Sequence, residues 1–313
     1  MSIESAQDGQ LKRCRGALLG LAVGDALGAP VEFLSRDSFE PVTEMMGGGK
    51  FKLPPGAWTD DTALALCLAE SLLITPQLDR ADLLTRFLRW VELGENSATG
   101  RAVGIGQNTL WSLLRFQETG ALEAAKVSRR SDGNGALMRL APLPCVWWRD
   151  PQEAVRLARL QSLSTHASQP SADACAYTSA LLSALIEGRE WAEARQRASQ
   201  QGASQQGEPF CEPMRELLSC ELALKPREQI SSGGYVLHTL EAALWAVETT
   251  HSFEEALIKA VNLGDDSDTV GAVTGQLAGA RYGVEAIPER WLEPLAQRER
   301  LLSLSTALFY TLA

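Results

Sequence analysis

The sequence predicts an all-α fold forming one domain. Apolar residues recur at helical spacing along most of the chain, and runs of alternating β-branched residues never exceed a few positions. Glycine- and proline-rich punctuation falls between the helical patterns, and no fixed-period repeat is visible. At 313 residues the chain is long for one hydrophobic core, but its 45% apolar and 22% charged content are those of an ordinary globular protein.

In chain order, residues 1–10 read as a disordered lead and residues 11–313 as the domain. Residues 11–27 are rich in Ala, Leu and Gly and carry almost no charge in their second half, the mark of a helix buried all round. Gly28 and Pro30 end it. A loop follows over residues 35–57, with Gly47, Gly48 and Gly49 as a candidate lid or a plain surface connection. A second buried helix, nearly uncharged, runs over 63–74, and helical patterns continue over 79–93, 108–117, 151–164, 171–185 and 192–199. Residues 200–209 are the most linker-like, but helical patterns resume on both sides. Helices at 236–248 and 253–262 lead to the last apolar helix, which begins after Asp266. In that helix Gly271, Gly275 and Gly279 repeat every four residues and form one smooth stripe. Interior glycines cost a helix about 0.8–1 kcal/mol each, so another backbone is expected to pass close by.

The net charge of −10 and the lack of any nucleic-acid motif argue against a phosphate-backbone binder. Six scattered cysteines without a CxxC pair suit buried thiols in a reducing compartment. The polar start lacks the apolar core of a signal peptide, and no apolar run reads as long enough to span a bilayer. These features lead us to expect a cytoplasmic protein without membrane or nucleic-acid partners.

Two acidic clusters stand out, Thr59-Asp60-Asp61 and Asp266-Ser267-Asp268-Thr269. Each precedes a nearly uncharged helix, and taken singly each reads well as a helix cap. A cap needs one oxygen, however, and each cluster offers two carboxylates and a hydroxyl. Carboxylates at buried helix ends are costly unless paired or metal-bound, and no basic residue lies nearby in sequence. Together the clusters form a hard oxygen set suited to Mg²⁺ or Mn²⁺, with enough carboxylates for two ions.

The motifs Gly24-Asp25-Ala26-Leu27-Gly28 with Glu32, Thr59-Asp60-Asp61-Thr62, Gly133-Asn134-Gly135 with Met138-Arg139, and Asp266-Ser267-Asp268-Thr269 occur in one order over nearly the whole chain. On these residues the sequence resembles the ADP-ribosylglycohydrolase family, and its bacterial branch acting on ADP-ribosylated nitrogenase reductase in particular. The resemblance implies a compact orthogonal helical bundle with, at its centre, two divalent cations, Mg²⁺ or Mn²⁺, held by Thr59, Asp60, Asp61, Asp266, Asp268 and Thr269. It implies catalytic parts for Glu32, Asp61 and Asp266, with Glu32 beside the scissile ribose bond as acid/base. Asp25 is implied as a support for the ligands. Ser131, Gly133, Asn134, Gly135, His166 and Tyr235 are implied as contacts to ADP-ribose, although the GNG run alone reads as a turn and Tyr235 equally as packing. The implied activity is hydrolysis of ADP-ribosylated protein, most readily at arginine, with release of ADP-ribose. A binding or immunity role against an ADP-ribosyltransferase toxin is the alternative. Two departures are notable: Gly104 stands where the family commonly has aspartate, and Asp265 where many members have glycine.

Overall fold

The computed structural model describes residues 3–126, 132–202 and 209–312. Among them the α-helices are α1 Ile3–Gly28, α2 Asp60–Ile74, α3 Arg80–Leu93, α4 Gln107–Thr119, α5 Pro142–Trp147, α6 Pro151–Leu163 and α7 Gln169–Glu187. They continue with α8 Trp191–Gln201, α9 Glu212–Ser219, α10 Val236–Glu248, α11 Phe253–Val261, α12 Ser267–Tyr282, α13 Glu289–Leu292 and α14 Arg298–Tyr310. The described residues contain no strand, only isolated bridges at Gly48–Leu53 and Gly133–Tyr235. The all-α expectation holds.

The centre of the fold is the pair α1 and α12, and the reason is glycine. The stripe on α12 meets a matching one on α1, Gly16, Gly20, Gly24 and Gly28. A Cβ added at Gly16, Gly20 or Gly24 would lie 2.0–2.2 Å from the carbonyl oxygen of Gly279, Gly275 or Gly271 respectively. One at Gly28 would lie 2.3 Å from Ser267 O. Contacts that short exclude any side chain, so the two backbones pack directly on each other. Numbers rise on one helix as they fall on the other, so the pair is antiparallel. The C-terminal end of α1 therefore lies against the N-terminal end of α12. The helices α7, α10 and α11 pack around α12, and α14 packs on α1.

Three sequence expectations change. The helix α1 starts at Ile3, so residues 3–10, expected to be disordered, extend it. Lys12 secures this turn by pairing with Asp8 at 3.1 Å and Glu285 at 2.9 Å. The span Ala6–Val31 also has the length and composition to cross a bilayer, contrary to the sequence reading. Some 89% of its apolar window is buried within the fold, which identifies a core helix. Finally, α13 and α14 were not foreseen, and α13 is too short to show a helical period; the helix expected after the glycine turn at residues 130–139 is α5.

Candidate active site

The antiparallel pairing brings three segments to one place. The first is Asp25 and the turn after α1, which carries Glu32. The second is the start of α2, with Thr59, Asp60 and Asp61. The third is the start of α12, with Asp266, Asp268 and Thr269. Neither Thr59 nor Asp266 caps its helix through its side chain, although each sits at the N-cap position. The capping explanation thus fails for both clusters, and their oxygens face one another instead.

Asp25 ties the first two segments. Its Oδ1 accepts hydrogen bonds from Thr59 N and Oγ1, both at 2.9 Å. Its Oδ2 accepts from Thr62 N at 3.0 Å and Thr62 Oγ1 at 2.7 Å. With both oxygens so occupied, Asp25 holds the start of α2 in place, the supporting part expected of it. Thr59 Oγ1 also lies 3.1 Å from Asp61 Oδ2 and 3.3 Å from Asp268 Oδ2, which draws the second and third segments together.

Glu32 reaches the cluster on a turn knitted to the segment before α12. Phe33 N donates to Asp265 O at 2.7 Å, and Asp265 N donates to Leu34 O at 2.8 Å. Both Phe33 (φ 66°) and Asp265 (φ 57°) adopt the left-handed conformation that this reciprocal pairing requires. Arg36 reinforces it by donating to Leu263 O at 3.2 Å, Arg227 O at 2.7 Å and Ile230 O. Asp265 acts here through its backbone and stays outside the carboxylate cluster.

Oxygens of Asp25, Asp61 and Asp268 lie within 4.8 Å of one another, as do oxygens of Glu32, Asp266 and Asp268. Asp268 is common to both groups. Burial raises all the carboxyls, and their mutual repulsion adds to it. Glu32 is pushed up to about 8 by burial and by the charges of Asp266 and Asp60. Asp60 rises to about 8 by burial and the charge of Asp25. Asp61 and Asp268 rise well above the ordinary range from burial and neighbouring carboxylates. Asp25 rises only to about 6, because its four hydrogen bonds offset its burial. Two buried oxygens, Glu32 Oε2 and Asp61 Oδ1, have no hydrogen-bond partner at all. Orphaned carboxylate oxygens in an all-oxygen cluster are what a hard divalent cation satisfies, so the donor set fits the expected metal.

Above the cluster opens a cavity of about 800 Å³, a volume ample for a dinucleotide-sized ligand. Glu32, Asp60, Asp266, Asp268 and Thr269 reach it, while Thr59 and Asp61 lie beneath. One wall is Gly133, Asn134 and Gly135 with His166. Asn134 Nδ2 donates to Asp266 Oδ2 at 2.7 Å and to Thr239 Oγ1 at 2.9 Å, joining this wall to the floor. Gly133 and Gly135 press on the imidazole: a Cβ at Gly135 would lie 2.8 Å from His166 Cε1. Tyr235 is not among the lining residues. Its backbone bridges Gly133, and its ring packs edge-on against His238 with centroids 5.0 Å apart. Ser131 lies outside the described residues.

Sequence reasoning missed the opposite wall, where Lys50, Phe33 and Phe51 form a rim with Lys50 Nζ 4.0 Å from the Phe33 ring centroid. An apolar residue directly after Glu32 was the available signal. It also left Gly104 as a departure only. Gly104 (φ 89°) lies so close to the cluster that a Cβ there would be 2.3 Å from Asp60 Oδ1.

The chain as a whole is similar to known proteins. The chain is 42% identical over 302 residues to an ADP-ribosylarginine hydrolase, Tri1, of Serratia proteamaculans, covering 96% of this chain and 80% of that one. It is 34% identical over 287 residues to an ADP-ribosyl-dinitrogen-reductase glycohydrolase of Rhodospirillum rubrum, covering 90% of each. A solved structure described as an ADP-ribosylglycohydrolase-related protein complex superposes with a TM-score of 0.81 at 40% identity, over 97% of this chain and 99% of that one. The ADP-ribosylglycohydrolase family profile matches residues 6–312, and the chain belongs to that family.

Proposed function

We propose that this chain is a divalent-cation-dependent hydrolase that removes ADP-ribose from arginine side chains of modified proteins. The observation that carries the reading is the buried carboxylate floor, with the unpartnered oxygen of Glu32 beside it, at the base of a dinucleotide-sized cavity. The arginine linkage rests on the names of the Serratia and Rhodospirillum relatives.

Thr59, Asp60, Asp61, Asp266, Asp268 and Thr269 would hold two ions, Mg²⁺ or Mn²⁺; of these, Asp61, Asp266 and Asp268 belong to the two groups of converging carboxylates. When bound, the ions supply positive charge that orders ribose hydroxyls or water and neutralises the cluster. The rest falls to the chain itself. The glycine wall lets ADP-ribose approach the backbone at Gly133 to Gly135, with His166 alongside. Asn134 fixes Asp266 in orientation. Water replaces the guanidino nitrogen at the anomeric carbon, and that nitrogen leaves with a proton. Glu32 faces the cavity beside the cluster, where its carboxyl is placed to exchange protons with the reacting groups.

The test is incubation with an arginine-ADP-ribosylated protein in Mg²⁺, in Mn²⁺ and in chelator. Release of free ADP-ribose with metal and none in chelator is expected; no release under any metal refutes the proposal.

A further inference from the structure

Arg139 is the least expected residue near the cavity. It is wholly buried, and no carboxylate pairs with it among the described residues. A charge in that position needs every donor satisfied. Its Nε donates to Gln161 Oε1 at 3.0 Å, its Nη1 to Gly135 O at 3.0 Å, and its Nη2 to Gln161 O at 3.2 Å and Thr165 Oγ1 at 2.8 Å. The guanidinium also lies 4.7 Å from the centroid of the Phe87 ring. One side chain thus ties the glycine wall to the segment carrying His166.

The bond to Thr165 has a further consequence. Thr165 Oγ1 lies 2.8 Å from His166 Nδ1. The hydroxyl accepts from Arg139, which has no acceptor to offer in return. Its single proton finds an acceptor in His166 Nδ1 when the ring carries its own proton on Nε2, the arrangement that uses every group of the chain Arg139–Thr165–His166. That nitrogen makes no hydrogen bond with the described residues. It lies against Gly133 and Gly135, where an added Cβ would be 3.2 Å from it in either case, and the ring lines the cavity. We propose that Arg139 and Thr165 are positioning residues that fix His166 as a neutral Nε2–H donor, aimed at an oxygen of the ADP-ribose held against the glycine wall. The proposal rests on the hydrolase reading for the identity of that ligand, but not for the state of the ring.

Doubly protonated imidazole is disfavoured twice over. A proton on Nδ1 would leave the Thr165 hydroxyl proton without an acceptor, and the fixed charge of Arg139 stands next to it. Burial, and after it the charge of Arg139, lowers His166 to about 3. The donor is therefore constant over the range in which the enzyme works, unlike an ordinary histidine.

Long-range ¹H–¹⁵N spectra of the ligand-free, Mg²⁺-loaded protein read the tautomer directly. His166 is assigned among the three histidines by comparison with His166→Gln. A neutral Nε2–H pattern unchanged from pH 5.5 to 8 is expected. Thr165→Val keeps the shape and removes the hydroxyl. It should mix the tautomers and weaken ADP-ribose binding ~10-fold, while Thr165→Ser restores both. An Nδ1–H tautomer or an imidazolium in the wild type, or a Thr165→Val protein with an unchanged ring, overturns the proposal. ADP-ribose that binds without moving the Nε2 proton resonance overturns its ligand half. Failure of the wild type to bind ADP-ribose by calorimetry would instead strike the hydrolase reading, leaving the tautomer result intact.

Discussion

Substituting Gly275 by alanine tests whether glycine packing builds the active site. The new Cβ would lie 1.9 Å from Gly20 O and 2.5 Å from its carbon, against 3.4 Å for ordinary contact. Relief requires α1 and α12 to part by about 1.5 Å, because both obstructing atoms are backbone and cannot rotate away. Overpacking of this kind costs ~1–3 kcal/mol, and the backbone clash places it at the upper end. Alanine returns ~1 kcal/mol through helix propensity. The net loss of ~2 kcal/mol corresponds, for a chain of this size, to a drop in Tm of ~3 °C. The same displacement would carry Asp25 and the Glu32 turn away from Asp61 and Asp268, whose oxygens now lie within 4.8 Å of Asp25. Misplacement by ~1 Å in a preorganised site costs ~10²-fold in rate. Differential scanning fluorimetry and metal-dependent release of ADP-ribose measure the two effects. Gly9→Ala on the same α1 is the control, since its Cβ would meet only the flexible Arg13 Nη1 at 3.3 Å. It should be neutral or stabilising. A Gly275→Ala protein with wild-type Tm would show that the helices do not meet here. One that is destabilised but fully active would show that the site does not depend on their approach.

Four more outcomes follow from the same geometry. Glu32→Gln keeps the shape without the proton, so ADP-ribose affinity should stay within a few-fold while turnover falls ~10²–10⁴-fold; an unchanged rate removes Glu32 from the chemistry. Asn134→Ala frees Asp266 and should weaken metal binding or activity ~10–100-fold, as read by Mn²⁺ titration; equal affinity would show that Asp266 needs no such tether. Gly104→Ala adds strain at φ 89° and forces Asp60 aside, so its Mn²⁺ affinity should drop ~10-fold or more by the same tuning logic; wild-type affinity would place Asp60 outside the metal set. Metal-free protein should lose stability as pH rises from about 4 to about 8, because folded Glu32 and Asp60 hold protons that the unfolded chain has released. Mn²⁺ should restore most Tm at the alkaline end, and a flat Tm against pH in chelator contradicts the raised carboxyls.

The carboxylate cluster was legible in the sequence because its cost is local. Four aspartates at the starts of two uncharged helices have no explanation within their own segments, and their side chains indeed leave the cap positions empty. The glycine stripe on α12 was equally legible, and the close backbone it calls for is there. Which helix supplies it was not read, although the same four-residue spacing in Gly16, Gly20, Gly24 and Gly28 was the available signal. The packing is with α1, and Asp25 on α1 then reaches across to α2. Tyr235 shows a limit of another kind. A glycine pair before an aromatic marks a turn near a ligand, but which face the ring takes depends on His238 one helical turn later. The rim of Lys50, Phe33 and Phe51 joins residues on separate loops, which no periodicity connects.

The arrangement separates what stabilises the fold from what the site requires. Helices α1 and α12 meet backbone to backbone along their glycine stripes, and the side-chain link at the carboxylate end is the small Ser267, whose Oγ donates to Gly28 O at 2.9 Å. That direct contact brings charges together whose repulsion the protein must then offset. Asp25 is answered by four hydrogen bonds from Thr59 and Thr62, and Asp266 by Asn134. Glu32 and Asp61 are left with an unanswered oxygen each. The two carboxylates without a complete shell are thus the ones for which the fold supplies no substitute for a cation. One of them faces the cavity and the other lies beneath it, as expected if the cluster is completed by ions between floor and ligand rather than by further protein contacts. A rigid glycine-packed pair makes this incomplete shell possible, because a looser pair would let the carboxylates relax apart and pair with water.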